Sequence, residues 1–190
     1  MKKNVIRKLV EGALLVAVAT VLSMLKFDLP FGGGVTIVSM LPIVFYSHRH
    51  GVKWGLGVAF VYSLIQLVLG LDNVSYAATF VTACGVVFLD YIIAYTVLGL
   101  SGVFGKSRTG VAIGILVTFC LRFVCHLVTG AWIWGEWMPE TFMNMTMTNP
   151  WIYSFLYNGW YMLAELVLTE IVAMLLYGPL GRYFRGEDLK

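Results

Sequence analysis

Long apolar segments, separated by short connections that hold most of the charges, are the feature that most restricts the fold of this chain. We place six such segments at residues 5–26, 35–47, 53–70, 75–100, 109–133 and 151–178. A helix needs about 20 mostly apolar residues to cross a bilayer. Charged residues make up only 12% of the 190 residues, against about 25% in soluble domains. The sequence therefore predicts an integral membrane protein.

The apolar segments are predicted to be helices rather than the strands of a membrane barrel. Strands of such barrels alternate between apolar and polar residues, whereas these segments are apolar throughout. We therefore expect one all-α membrane domain over residues 1–190, with six transmembrane helices. The second helix, built around Pro42, is the shortest of the six.

Basic residues are concentrated in alternate connections. Eleven of the 13 lie in the N-terminal arm, the second-to-third connection, the fourth-to-fifth connection and the C-terminal tail: Lys2, Lys3, Arg7, Lys8, Arg49, Lys53, Lys106, Arg108, Arg182, Arg185 and Lys190. The opposite connections hold Lys26 together with four acidic residues. Because cytoplasmic loops carry the excess of lysine and arginine, both termini are predicted to be cytoplasmic.

A few ionisable side chains lie within the predicted helices, where they usually face the bundle interior or a cavity. Arg122, His126 and Gly130 are four residues apart and follow one stripe of the fifth helix toward Trp134. Gly130 is expected to leave room for a flat group beside the backbone. Arg122 is predicted to be buried and to pair with Asp90 or with Glu165, which shares a face of the sixth helix with Asn158.

Five of the six tryptophans lie at or near the fifth-to-sixth connection. They are explained equally well by an interfacial aromatic belt and by a lid or binding pocket. A pocket that combines a carboxylate with aromatic faces would suit a planar, cationic or nitrogen-rich ligand.

Motifs of soluble enzymes are missing from the sequence. HExxH, GxSxG and CxxC do not occur, and Gly105-Lys106-Ser107 lacks the first glycine of a phosphate-binding loop, since Leu100 stands at that position. We therefore expect no nucleotide site, metal or cofactor, and no nucleic-acid partner. Ala13 and Ala17 form a small-residue face on the first helix, which could pack within the bundle or against a partner helix.

Several motifs together resemble a known family. They are Phe88-Leu89-Asp90-Tyr91, Arg122 and His126 followed by Gly130 and Trp134, Tyr153 with Asn158-Gly159, and the run from Pro42 to Gly51. In order and spacing they are similar to the thiamine-specific substrate-binding components (S components) of energy-coupling factor transporters, the ThiT family. The resemblance covers nearly the whole chain.

The resemblance implies a six-helix S-component fold in a bacterial plasma membrane, with a thiamine pocket open to the outside. His126 and Trp134 would contact the ligand rings, and Gly130 would give access. Asp90 would bind the aminopyrimidine or offset the cation. The residues implied for the polar and hydroxyl groups are Tyr91, Tyr153 and Asn158, with Tyr76 and Gly33 as further candidates.

The resemblance also implies partners. In this family the alanine-rich first helix docks on a transmembrane coupling subunit that carries two ATPases, which makes Ala13 and Ala17 the expected docking face. Two positions depart from the family pattern: Asp90 stands where the family has glutamate, and Gly33 stands where some members have tryptophan.

Three alternatives stay open on sequence alone. The chain could be an S component for another heteroaromatic vitamin or precursor. It could be an intramembrane enzyme that uses His126 with Asp90 or Glu165 as acid and base. It could also be a proton-coupled carrier that works alone.

Overall fold

The computed structural model of this chain describes residues 2–28 and 33–189, apart from the side chains of Lys2, Lys3 and Asp28. Within these ranges most residues are helical. The helices are α1 (Lys2–Met24), α2 (Leu41–His50), α3 (Val52–Leu69), α4 (Leu71–Ser75), α5 (Phe80–Phe104), α6 (Arg108–Trp132) and α7 (Pro150–Phe184). Short antiparallel strands form two hairpins, β1 (Lys26–Asp28) with β2 (Gly34–Thr36) and β3 (Thr141–Phe142) with β4 (Met145–Thr146). Outside these helices, short 3₁₀ segments cover Trp134–Trp137 and Glu187–Leu189.

Local sequence signals explain where the main helices begin. Pro42 and Pro150 occupy first-turn positions of α2 and α7, where a missing backbone N–H costs no hydrogen bond. Asn149 caps α7 by accepting a hydrogen bond from the backbone N–H of Trp151 at 2.8 Å, and Ser107 caps α6 in the same way. These signals fix the residues at which α2, α6 and α7 begin.

Helix α5 changes its winding along its length. It is α-helical over Phe80–Gly85, π-helical over Val86–Ile93, α-helical again over Ala94–Thr96 and 3₁₀ over Val97–Phe104. At its 3₁₀ end, Gly99 lies against the backbone of Gly55 on α3, where a Cβ atom would come within 2.6 Å. Glycine is therefore required for α3 and α5 to approach this closely.

In the part of the chain that the structure describes, four helical segments are long and apolar enough to cross a membrane: Val52–Leu69, Phe80–Phe104, Arg108–Trp132 and Pro150–Leu189. They correspond to the predicted segments 53–70, 75–100, 109–133 and 151–178. The prediction of a mainly helical membrane protein is thus confirmed. The predicted count of six transmembrane helices has this support for four of them, since α2 has only ten residues and α1 carries several charges near its start.

The structure departs from the all-helical prediction in three places. Segment 35–47 does not begin as a helix, because Thr36 is in β2 and pairs with Lys26 of β1; α2 starts only at Leu41. Segment 75–100 starts late, because Thr79 and Thr82 form a reciprocal cap that fixes the first turn of α5 at Phe80. Two short strands also interrupt the connection between α6 and α7.

Basic side chains from distant parts of the chain meet at one end of the bundle, which we call the basic end. Arg49, whose side chain is 4% exposed, contacts Glu11 at 2.7 Å and Asp188 at 2.6 Å. Arg7 reaches Asp188 at 2.7 Å, and the Lys106 ammonium donates to the backbone oxygen of Arg49 at 3.2 Å. The Arg49 guanidinium, together with Arg7, holds the pKa of the Asp188 carboxyl well below its usual value. Ion pairs therefore join the N-terminal part of α1 to the 3₁₀ segment Glu187–Leu189 at this end of the bundle.

Candidate ligand-binding site

A cavity of about 390 Å³ lies at the opposite end of the bundle from the basic end. Its size falls in the range of about 300–1,000 Å³ that is typical of small-molecule pockets. Its lining comes mainly from α5, α6 and α7: Gly33, Asn73, Tyr76, Asp90, Tyr91, Tyr95, His126, Thr129, Gly130, Trp134, Trp137, Tyr153, Ser154, Tyr157, Asn158 and Tyr161. Half of these residues are tyrosine or tryptophan. The cavity is therefore an aromatic chamber in which Asp90 alone among the lining residues carries a carboxylate.

Asp90 is the centre of a hydrogen-bond network on the cavity wall. Its Oδ1 accepts from Nδ1 of His126 at 2.9 Å and from the Thr129 hydroxyl. Its Oδ2 accepts from Nε1 of Trp134 at 3.1 Å. Three donors thus converge on one carboxylate, and each hydrogen bond to a charged group contributes about 1.5–3 kcal/mol. Asp90 therefore fixes the orientation of the imidazole and indole rings.

The π-helical part of α5 carries both Asp90 and its neighbour Tyr91 to the cavity. Such segments are rare and are frequent at functional sites. The Tyr91 hydroxyl donates to the Gly70 oxygen and accepts from Nδ2 of Asn73, both at 3.0 Å. A Cβ atom at Gly70 would lie 2.1 Å from that hydroxyl. The Tyr91 hydroxyl is therefore held at the end of α3, and Tyr91 presents its ring, rather than a free hydroxyl, to the cavity.

The second ring nitrogen of His126 is available to a ligand. Because Nδ1 donates to Asp90, Nε2 of the neutral ring is an acceptor. Among the residues that the structure describes, none gives this buried Nε2 a hydrogen-bond partner. An unpaired buried polar atom is costly, so a ligand N–H or O–H in the cavity would satisfy it.

Gly130 has a different role from the one expected from its position. A Cβ atom there would lie 2.2 Å from Oγ of Ser154 and 2.9 Å from Nδ2 of Asn158. The space that we expected a flat ligand group to use is therefore filled by α7. Asn158 in turn donates to the His126 backbone oxygen at 3.2 Å and accepts from Tyr161 at 2.8 Å. Both residues line the cavity, and together they join α6 to α7.

Three tyrosines spaced four residues apart form an aromatic stripe on α7: Tyr153, Tyr157 and Tyr161. The first two are stacked with ring centroids 5.6 Å apart, and the second and third meet edge to face at 5.7 Å. Of the three, sequence analysis singled out only Tyr153. The regular spacing places all of them on one helix face, and this signal could have found the other two.

Arg122 lies one turn below His126, beneath the cavity. It pairs with Glu165 at 3.0 Å, with both side chains buried, and donates to the Tyr95 hydroxyl at 3.3 Å. Of the two partners that the sequence left open, the structure places Glu165 beside Arg122 and gives Asp90 to His126. The charge of Arg122 is thereby neutralised below the cavity.

All nine residues predicted from the sequence to contact the ligand line this one cavity, including Tyr76 and Gly33. Sequence analysis missed Thr129 and Tyr95, whose spacing from His126 and Tyr91 places them one turn along the same helices. The tryptophan cluster divides between the two explanations offered for it. Trp134 and Trp137 line the cavity, although Trp137 is also 61% exposed. Trp132, Trp151 and Trp160 lie outside the cavity lining and are more than half exposed, as expected for an interfacial belt.

Ala13 and Ala17 lie far from the cavity. Both are exposed on α1, while the adjacent Gly12 is buried against Tyr46 and Val58. The two alanines therefore face away from the bundle. Within the described ranges, no group of three or more histidine, cysteine, aspartate or glutamate residues could hold a metal ion.

Comparison with known proteins agrees with this architecture. Residues 9–184 match the family described as thiamine transporter protein (Thia_YuaJ). The thiamine transporter ThiT of Bacillus subtilis (strain 168) is 30% identical over 196 residues, covering 95% of each chain. The thiamine transporter ThiT of Lacticaseibacillus paracasei is 26% identical over 199 residues, covering 96% of this chain and 92% of that protein. A solved structure of ThiT from Listeria monocytogenes superposes with a TM-score of 0.77 at 20% identity, covering 94% of this chain and 97% of that chain, which shows a shared fold.

Proposed function

Because this chain belongs to the thiamine transporter protein (Thia_YuaJ) family, we propose that it is the thiamine-binding S component of an energy-coupling factor importer and that the aromatic cavity is its thiamine site. The family is one of membrane transporters, so the alternative of an intramembrane enzyme is wrong. The observation that carries the proposal is the carboxylate of Asp90, fixed by three donors inside a chamber of tyrosines and tryptophans.

The chemistry of thiamine fits this chamber. Thiamine joins a cationic thiazolium ring to an aminopyrimidine ring and carries a hydroxyethyl group. Aromatic faces attract a cation, and the attraction increases when water is excluded. Trp134 and the tyrosine stripe supply such faces, and Asp90 supplies the compensating negative charge. The cavity therefore favours a flat monocation over a neutral ring of the same size.

The contacts of Asp90 and His126 support different roles for the two residues in binding thiamine. Both oxygens of Asp90 already accept hydrogen bonds from the protein, which supports charge compensation over a direct bond to the aminopyrimidine. Nε2 of His126 is then the acceptor for the exocyclic amino group. Tyr153 and Asn158 lie at the α7 side of the chamber, where the hydroxyethyl group would be placed.

A fluorescence titration tests the site. Thiamine added to the purified protein is expected to quench tryptophan fluorescence in a saturable way, because Trp134 lies on the cavity wall. His126→Ala removes the free acceptor and is expected to weaken binding at least tenfold. Trp160→Phe, on the exposed outer face of α7, is the matched control and should leave the affinity unchanged. Equal affinities for the protein and for His126→Ala would contradict the assignment.

The orientation in the membrane follows from the charges. We propose six transmembrane helices, with α1 and α2 as the two beyond the four that are long and apolar enough by themselves. The basic end would be cytoplasmic by the positive-inside rule, which places the cavity on the outer side of a bacterial cell membrane. A binding site at that end suits an importer.

We propose that delivery to the cytoplasm uses partner subunits, because the sequence offers no complete phosphate-binding loop. The exposed Ala13 and Ala17 on α1 support docking on a transmembrane coupling subunit with two attached ATPases. Ala13→Trp would then abolish thiamine uptake by cells while the purified variant still binds thiamine. Uptake at the normal rate in this variant would exclude docking at that face.

A further inference from the structure

Residues 33–36, which we call the β2 segment, are attached to α7 at both ends. The backbone N–H of Gly33 donates to the Tyr157 hydroxyl at 2.9 Å. The backbone N–H of Thr36 donates to Oε1 of Glu165 at 3.2 Å, and its hydroxyl donates to the same oxygen. Tyr157 and Glu165 are eight residues apart, about 12 Å along a helix, and the β2 segment is about 10 Å long. The segment therefore runs along one face of α7.

Glu165 lies outside the cavity lining but contacts the β2 segment. The residue is 1% exposed and is absent from the cavity lining. Its Oε2 pairs with Arg122, which offsets the cost of a buried charge. Its Oε1 is left to accept the two hydrogen bonds from Thr36. Hydrogen bonds to an ionised acceptor are roughly twice as strong as neutral ones, so Thr36 is the stronger of the two attachments.

The turn that follows the β2 segment depends on the same attachment. Val38 has a φ of 47°, a left-handed conformation that is strained for a β-branched residue. Such strain persists only where the surroundings fix the backbone. The Thr36 hydroxyl lies 2.7 Å from the Ser39 hydroxyl, across this turn. Glu165, Thr36 and Ser39 thus form one connected polar group.

We propose that Glu165 is a positioning residue for the ligand site: through Thr36 it holds the β2 segment, with Gly33 against the cavity, and so slows escape of the ligand. Gly33 lines the cavity and contacts the tyrosine stripe, where a Cβ atom would lie 2.6 Å from the Tyr157 hydroxyl. The effect on escape rests on the proposed function. The attachment itself does not.

Thr36→Val tests the attachment with little change in shape. The variant loses the hydroxyl donor but keeps the branched side chain and the backbone N–H. Hydrogen–deuterium exchange of the β2 segment in the ligand-free protein is expected to become at least about tenfold faster, the lower end of the effect for losing one hydrogen bond to a charged group. Thr36→Ser restores the hydroxyl and should exchange within about twofold of the original rate.

The consequence for the ligand is measured by stopped-flow displacement of thiamine. Thr36→Val is expected to release thiamine about tenfold faster with little change in the association rate, since most affinity differences within one site are in dissociation. Thr20→Val is the control, because the Thr20 hydroxyl donates only along α1, to the Val16 oxygen at 2.8 Å. It should change neither rate.

Two results would overturn the proposal: exchange and release by Thr36→Val at the original rates, or equal effects of Thr36→Val and Thr36→Ser. If the original protein binds no thiamine, the proposed function fails, and the exchange experiment still decides whether the Thr36 hydroxyl holds the β2 segment; Ser39→Ala, which removes the other partner of that hydroxyl, should leave the exchange rate unchanged if Glu165 is the partner that matters.

Discussion

Replacing Asp90 with asparagine is expected to weaken thiamine binding about 10- to 150-fold. All three partners of the Asp90 carboxylate are donors: His126 at 2.9 Å, Trp134 at 3.1 Å, and the Thr129 hydroxyl. Asparagine has one acceptor oxygen, and its amide nitrogen would face at least one of these donors. Because these hydrogen bonds exist without ligand, their loss mainly reorients the rings and lowers stability. The change in affinity comes from the lost charge compensation of the thiazolium ring, which we set at about 1.5–3 kcal/mol, the value of a contact to a charged group, and each 1.4 kcal/mol is a tenfold change in affinity.

Isothermal titration calorimetry on the purified proteins measures this effect. Asp72→Asn is the matched control, because Asp72 is exposed at the same end of the molecule and lies outside the cavity lining. It should bind thiamine with unchanged affinity. Melting temperatures of both variants would show whether they are folded. A folded Asp90→Asn protein that binds thiamine within twofold of the original affinity would refute the role given to the carboxylate.

Three further predictions concern stability. Gly130→Ala should lower the free energy of unfolding by about 1–3 kcal/mol through overpacking between α6 and α7. Gly178→Ala should not lower it, because nothing lies within 4 Å of the added Cβ atom. Thermal melts of the two variants measure the difference. Arg122→Gln should destabilise the fold by about 3–5 kcal/mol by leaving the Glu165 charge unpaired. Adding Glu165→Gln to this variant should recover part of the lost stability. A double variant that is no more stable than Arg122→Gln alone would contradict the pairing. The pKa of Asp188 is lowered in the folded state from its ordinary value of 3.8, so its stabilisation is present above about pH 4 and is lost as pH falls further. The melting temperature of the protein should therefore exceed that of Asp188→Asn at pH 7 and converge with it in acid, and an unchanging difference would contradict this.

The sequence was sufficient to predict a mainly helical membrane protein and the four segments that are long and apolar enough to cross a membrane, because continuous apolar segments have few other stable outcomes. The sequence also indicated which residues share the site: His126 and Gly130 follow one stripe of α6, Trp134 lies in the 3₁₀ segment just after it, and the structure places His126 and Trp134 against Asp90. The position of Asp90 could not be predicted in this way, since it depends on the π-helical winding of α5.

Other features could not be predicted because they depend on contacts between distant residues. Gly130 was expected to make room for a ligand, but its space is used by Ser154, which only the α6–α7 packing shows. Residues 35 and 36 were predicted to begin a helix over 35–47, yet they lie in a strand that pairs with β1, and Thr36 also donates to Glu165, 129 positions later. Periodicity within a segment carries no information about such partners.

Direct calorimetric titration of the purified protein with thiamine tests the central claim most directly. One thiamine per chain is expected to bind, with a dissociation constant below about 1 μM, equivalent to about −8 kcal/mol. Saturable binding of riboflavin or biotin, with no heat from thiamine at millimolar concentration, would contradict the assignment of the aromatic cavity to thiamine.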